Sequence, residues 1–137
     1  MEKKIYTSNF ARKGSDPKAL AISAWPPPWY EGKGLSIVAP TRQMVLAAIN
    51  KTMDMDTYWE RYISLLEERI EDPYKLIEDI PDGTYLLCYE KSSEPCHRHL
   101  LRDWVYDKTG YRIEEWKNDK EQKEADQQGI VDDLLEL

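Results

Sequence analysis

Apolar and polar positions along the chain fall into two kinds of run, short β-prone stretches and longer stripes at helical spacing. Lys4 to Asn9 reads as a first strand with Thr7 and Ser8 at its carboxyl end, and Ala19 to Ala24 as a second, short and small-residued. Residues 11–18 read as a loop from their glycine, proline and charge. The segment Trp25-Pro26-Pro27-Pro28-Trp29-Tyr30 is a stiff, polyproline-like turn bracketed by aromatics, and Leu35 to Val38 reads as a short extended piece. A helix is expected from Pro40 through Met44, Val45, Ala48 and Ile49. The next should be capped at Asp56 or Thr57, with Glu60 completing a capping box. It carries the stripe Trp59, Ile63, Leu66 and Ile70, widened by Tyr62 and Leu65. Asp72-Pro73 opens a third, shorter helix holding Leu76 and Ile77.

Tyr85 to Tyr89 is the most strand-like run, entered through the turn Pro81-Asp82-Gly83. A polar turn containing Pro95 follows. Leu100, Leu101, Trp104 and Val105 then recur as a helical stripe that Gly110 is placed to stop, and Tyr111 to Trp116 reads as a last strand. Strands separated by helices predict a small three-layer α/β domain over residues 1–116, with a mainly parallel central sheet flanked by helices. Residues 117–137, with three lysines and seven acids, read as a charged tail, disordered or a frayed helix.

Composition narrows the function classes. With 137 residues, 41% hydrophobic and 33% charged, one soluble domain with a real core is expected. No apolar run is long enough for a bilayer, and the lysine-rich start lacks a signal-type apolar segment. Two cysteines, one in a strand and one at a helix start, suggest reduced thiols and a cytoplasmic setting. A net charge of -7 argues against broad electrostatic capture of nucleic acid and places a small ligand ahead of direct nucleic-acid binding.

The candidate chemistry clusters where the Tyr85–Tyr89 strand turns into the next helix. Strand alternation puts Cys88 and Glu90 on one face. Cys96, His97 and Arg98 fall in the first helical turn, where the helix dipole lowers a cysteine's pKa but disfavours cations. Arg98 and Arg102 there call for an anion: a carboxylate such as Glu90, Glu94 or Asp103, or a bound phosphate. Cys96 is then a candidate nucleophile, set against a small buried thiol, and Glu90 a candidate general acid or base, set against a salt-bridge partner. The Cys96-x5-Arg102 spacing lacks the glycine-rich loop of a cysteine phosphatase. No metal is expected, because residues 96, 97 and 99 of one helix diverge and Cys88 pairs with none at zinc-site spacing. No cofactor is expected either. The aromatic turn suits either a lid that stacks a base or a rigid connection covering the core. Tyr58 and Tyr62, four apart, read as core.

Cys88-x-Glu90 followed by Cys96-His97-Arg98 resembles the C-x-E…C-H-R signature of the domain-of-unknown-function family 488. Ile5-Tyr6-Thr7-Ser8, Ala21-Ile22-Ser23 with Pro26 and Trp29 beyond, and Tyr58-x3-Tyr62 are similar to its short subgroup, and the likeness covers roughly residues 3–116. It implies the fold and the place of the site, and no reaction.

In a parallel α/β sheet, ligands sit at the carboxyl ends of the strands. The expected site is therefore the rim formed by Thr7, Ser8, Ser23, Trp25, Glu90 and the Cys96-His97-Arg98 turn, with Arg102 one helical turn on. The expected ligand is small and anionic, nucleotide-like or phosphate-containing, bound or processed by a hydrolase or transferase. The competing expectation is a non-catalytic module that contacts protein or nucleic acid, its cluster held by internal salt bridges.

Overall fold

The protein's structure, a computed structural model, describes residues 3–89 and 97–135. Among the described residues five parallel strands form one sheet: β1 (Ile5–Asn9), β2 (Ala19–Ala21), β3 (Lys33–Gly34), β4 (Thr84–Cys88) and β5 (Glu114–Glu115), in the order β3-β2-β4-β1-β5. The helices are α1 (Phe10–Lys13), α2 (Arg42–Ile49), α3 (Met55–Arg69), α4 (Pro73–Asp79), α5 (His97–Thr109) and α6 (Asp119–Leu135). The expected α/β architecture with a parallel sheet between helical layers is what the chain adopts. Among the described residues no helix is long and apolar enough to cross a membrane.

β4 is the keystone strand. It pairs with β1 in the register Ile5↔Thr84 to Asn9↔Cys88, and with β2 as Ala19↔Tyr85 to Ala21↔Leu87. Flanked on both sides, Leu86, Leu87 and Cys88 are fully buried, as a continuous apolar run requires of a central parallel strand. Alternation divides the side chains between two cores. Leu86 and Cys88 join Ile5 in the larger one, with Met44 of α2, Tyr58, Tyr62 and Leu66 of α3, Leu76 of α4, and Leu101, Trp104 and Val105 of α5. Leu87 faces the thinner one, with Ala19, Ala21 and Phe10 of α1. On that side Tyr6 stacks on its register partner Tyr85, ring centroids 5.5 Å apart. The adjacent strands β1 and β4 thus send their following helices to opposite faces, the arrangement that opens a crevice at the carboxyl edge of such sheets.

Local chemistry sets the boundaries, and several differ from the sequence expectation. Residues 11–18 are not all loop: Asn9 Oδ1 accepts from the Arg12 amide and starts α1. Thr41 caps α2 through the Met44 amide. Asp54, not Asp56 or Thr57, caps α3, accepting from the Thr57 amide at 2.8 Å. That start places Tyr58, Tyr62 and Leu66 at the buried centre of α3, with Trp59 and Ile63 half-buried on its flank. Leu35 to Val38 is not extended; Ser36–Val38 form a 3-10 turn after β3, and β2 ends at Ala21 rather than Ala24. Asp72 and Pro73 begin α4 as expected, and Gly110, at φ +75, follows the end of α5. α6 is largely exposed, and the Arg12–Glu121 ion pair at 2.7 Å ties its first turn to α1.

Candidate functional site

Two groups of side chains gather at the carboxyl edge of the sheet, and Cys88 lies between them. The first is polar and closed. The β1–β5 register sets Glu115 directly beside Thr7, and the Thr7 hydroxyl donates to Glu115 Oε1 at 2.8 Å. α5 packs across this pair and delivers Arg98, wholly buried. Arg98 Nε and Nη2 donate to the two oxygens of Glu115 at 3.0 and 3.3 Å, a fork-on-carboxylate geometry. Arg98 Nη1 reaches Cys88 Sγ at 3.3 Å, and His99 Nε2 lies 3.7 Å from Glu115 Oε1. Burial pushes the Glu115 carboxyl up. The close approach of His99 and the hydrogen bond from Thr7, with the charge and hydrogen bond of Arg98, outweigh that and hold it below the usual carboxylate range.

Arg98 therefore has a carboxylate partner in Glu115, while Asp103 pairs with Arg102 and the expected candidate Glu94 lies outside the described residues. Glu90 and Cys96, the two candidate catalytic residues, lie outside the described residues. Arg102 belongs to neither group; it points outward and pairs with Asp103 at 2.9 Å. Ser8, on the opposite face of β1 from Thr7, is fully buried, and its Oγ has no hydrogen-bond partner among the described residues. Cys88 is disulfide-bonded, which corrects the expectation that both cysteines are reduced.

The second group is aromatic and open. Past the ends of β2 and β4 lies a cleft of about 450 Å³. Ser23 and Trp25 form one wall, Tyr58 and Trp59 of α3 another, and Cys88, Tyr89 and His97 the side toward β4. Ile49 and Met55, at the facing ends of α2 and α3, complete a largely apolar rim and are themselves 65% and 48% exposed. The Trp25-Pro26-Pro27-Pro28 turn is held from both sides: the Ser23 hydroxyl reaches the Trp25 carbonyl at 3.4 Å, and the Tyr89 hydroxyl donates to the same oxygen. Tyr58 and Trp59 meet edge to face, centroids 5.0 Å apart.

His97 is the polar group set deepest in the cleft wall. Its Nε2 faces the Ile22 carbonyl, so the ring carries its proton there, and it packs edge-on against Tyr62, centroids 5.4 Å apart. Burial drives its pKa down to about 4, opposed by the Ile22 hydrogen bond and assisted by the charge of Arg98. At neutral pH the cleft thus presents an uncharged imidazole. Behind it the Tyr62 hydroxyl donates to the Val38 carbonyl at 2.7 Å, locking α3 to the 3-10 turn.

Of the sequence-predicted rim residues, the structure brings Ser23, Trp25 and His97 together in the cleft, and Thr7 and Arg98 in the closed cluster. Glu115, Tyr58 and Trp59 were not singled out for the site. Glu115 follows the buried Ile113 by two residues, so strand alternation turns its carboxylate toward the core, where a cation must answer it. Among the described residues no group of His, Cys, Asp or Glu is arranged to hold a metal ion.

No curated protein and no solved structure matches the chain. The model of one family, described as Domain of unknown function DUF488, matches residues 33–105. That span is more than half of the chain and runs from β3 to the buried face of α5, taking in most of the cleft's lining and Arg98. The chain belongs to the DUF488 family.

Proposed function

We propose that this protein binds a small nucleotide-like molecule at the strand-end rim, with the flat ring of the ligand in the aromatic cleft and the Arg98–Glu115 cluster acting as the scaffold that shapes it. The observation that carries this reading is the cleft itself: about 450 Å³, walled by Trp25, Tyr58 and Trp59, with a neutral His97 as its deep polar contact. Aromatic faces stack on any base, and an uncharged imidazole in the wall makes no demand for a charged ring. The size and apolar character suit a small-molecule site, and its position at the carboxyl edge is where α/β sheets bind ligands. The reading is one of binding.

The test is a titration of intrinsic tryptophan fluorescence with adenosine, guanosine, cytidine and uridine. Trp25 and Trp59 line the cleft, so a stacked ring should change the emission saturably. Stacking is worth ~1–3 kcal/mol per base, so Trp25→Ala should weaken binding about tenfold. No saturable change with any of the four, or equal affinity in Trp25→Ala, contradicts the reading.

A further inference from the structure

Beside the aromatic cleft lies a second, smaller cavity of about 240 Å³, and the two share Ser23, Ala24 and Pro40 as common wall. We propose that this smaller cavity is the subsite for the ligand's anionic group, with Arg42 as the cation that selects it. The proposal rests on the reading of the larger cleft as a ring site and adds what the other end of the ligand must be: a phosphate, on the same molecule as the ring.

Charge is the first argument. In a chain of net charge -7, this cavity is lined by two guanidinium groups, Arg42 and Arg69, and by no carboxylate among the described residues. The neighbouring cavity on the other side of Arg69 is different in kind, bordered by Glu68, Glu71, Asp72 and Asp79. Acids border that cavity and, among the described residues, are missing from this one.

The second argument is how the two arginines are held. Arg69 Nη1 donates to the carbonyls of Ser36 and Ala39 at 3.0 and 3.1 Å, so its charge is fixed against the cavity wall without being neutralised there by a carboxylate. Arg42 is exposed, and its guanidinium sits over the Trp25 ring, 5.7 Å from the centroid. Trp25 also lines the aromatic cleft, so one indole joins the ring site to the cation. A planar guanidinium at that position offers a phosphate two parallel N–H donors. Small side chains, Ala21, Ala24 and Gly34, leave the space open.

The contrast with Arg98 sharpens the assignment. Arg98 is wholly buried and grips Glu115, whereas Arg42 is exposed, stands at a cavity and stacks beside the cleft. An anion arriving from solvent meets Arg42.

The experiment compares each nucleoside with its 5′-monophosphate, by fluorescence or calorimetric titration, on the wild-type chain, Arg42→Ala, Arg42→Lys and Arg61→Ala. Arg61, on α3, lines neither cavity. The expected result is a monophosphate preference of about tenfold or more in the wild type, reduced to about one in Arg42→Ala, partly kept in Arg42→Lys and unchanged in Arg61→Ala. Inorganic phosphate alone should compete with the monophosphates and not with the nucleosides. If nucleosides bind but the wild type shows no phosphate preference, or if the preference survives Arg42→Ala, the subsite assignment is overturned while the ring site stands. If no nucleoside or monophosphate binds, the ring site falls and the subsite with it.

Discussion

The Arg98–Glu115 cluster and the Trp25–His97 cleft are neighbours that share Cys88, yet they solve opposite problems. In the cluster a buried cation and a half-buried carboxylate meet at 3.0 Å, with Thr7 and His99 completing the carboxylate's shell. In the cleft the walls are apolar, the imidazole is neutral, and about 450 Å³ stays open. The difference teaches where recognition can reside. A guanidinium whose charge is met inside the fold holds the helix to the sheet; an open aromatic wall with an exposed arginine beside it has surface to offer a ligand.

The cluster is where substitution should cost most. Glu115→Gln removes the charge that Arg98 Nε and Nη2 grip, a loss of up to ~3–5 kcal/mol when one member of a buried pair is removed. Urea unfolding should show this as a lower midpoint at unchanged slope. The double variant Arg98→Met with Glu115→Leu should recover much of that stability, because removing both charges also removes the cost of burying them. A single variant as stable as the wild type would show that the pair does not hold α5 to β1 and β5.

Lowering the pH should strike the cleft wall next. His97 titrates near 4 in the folded chain against 6.5 when free, so the unfolded chain takes up its proton first. Its contribution is complete above pH 6.5 and is lost as pH falls toward 4, at up to ~1.4 kcal/mol per pH unit. Glu115, held below 4.5, acts in the same direction but in a lower window. Thermal melts of the wild type and His97→Gln between pH 7 and 4.5 separate the two. The wild type should lose stability across that range and the variant should be flatter. Parallel curves would show His97 to be titrating normally.

The smallest effect is expected at the other arginine of α5. Arg102 and its partner Asp103 have side chains 37% and 68% exposed. Arg102→Ala should change stability by less than ~1 kcal/mol, the range of exposed ion pairs. A loss comparable to that of Glu115→Gln would erase the distinction between the closed cluster and the surface.

Much of this was legible in the chain. The run Tyr85 to Tyr89 and the helical stripe after it placed β4 and α5, because continuous burial and 3.6-residue spacing leave direct marks on sequence. The partner of Arg98 was harder. Arg98 precedes Leu101 by three residues and Val105 by seven, which puts it on the same buried stripe, and a cation there must be answered within the fold. The answering group comes from β5, 17 residues on, and only the β1–β5 register brings it alongside Thr7. Pairing across a sheet is a tertiary fact that local periodicity does not carry. The caps show the same limit on a smaller scale: Asp54, Asp56 and Thr57 are all competent caps, and packing of Tyr58 and Tyr62 into the core selects Asp54. The arginine beside the cleft was hidden for a similar reason, since Arg42 and Trp25 are brought together by the turn between β2 and α2.

The separation of scaffold from binding surface is tested most directly by mapping amide and side-chain NMR shifts while a nucleoside 5′-monophosphate is titrated into the isotopically labelled protein. The account predicts saturable shifts at the indole N–H signals of Trp25 and Trp59, at the His97 ring and at the Arg42 amide, with Thr7, His99 and Glu115 left in place. Shifts centred on Thr7, Arg98 and Glu115, with the Trp25 and Trp59 indoles unmoved, would contradict it.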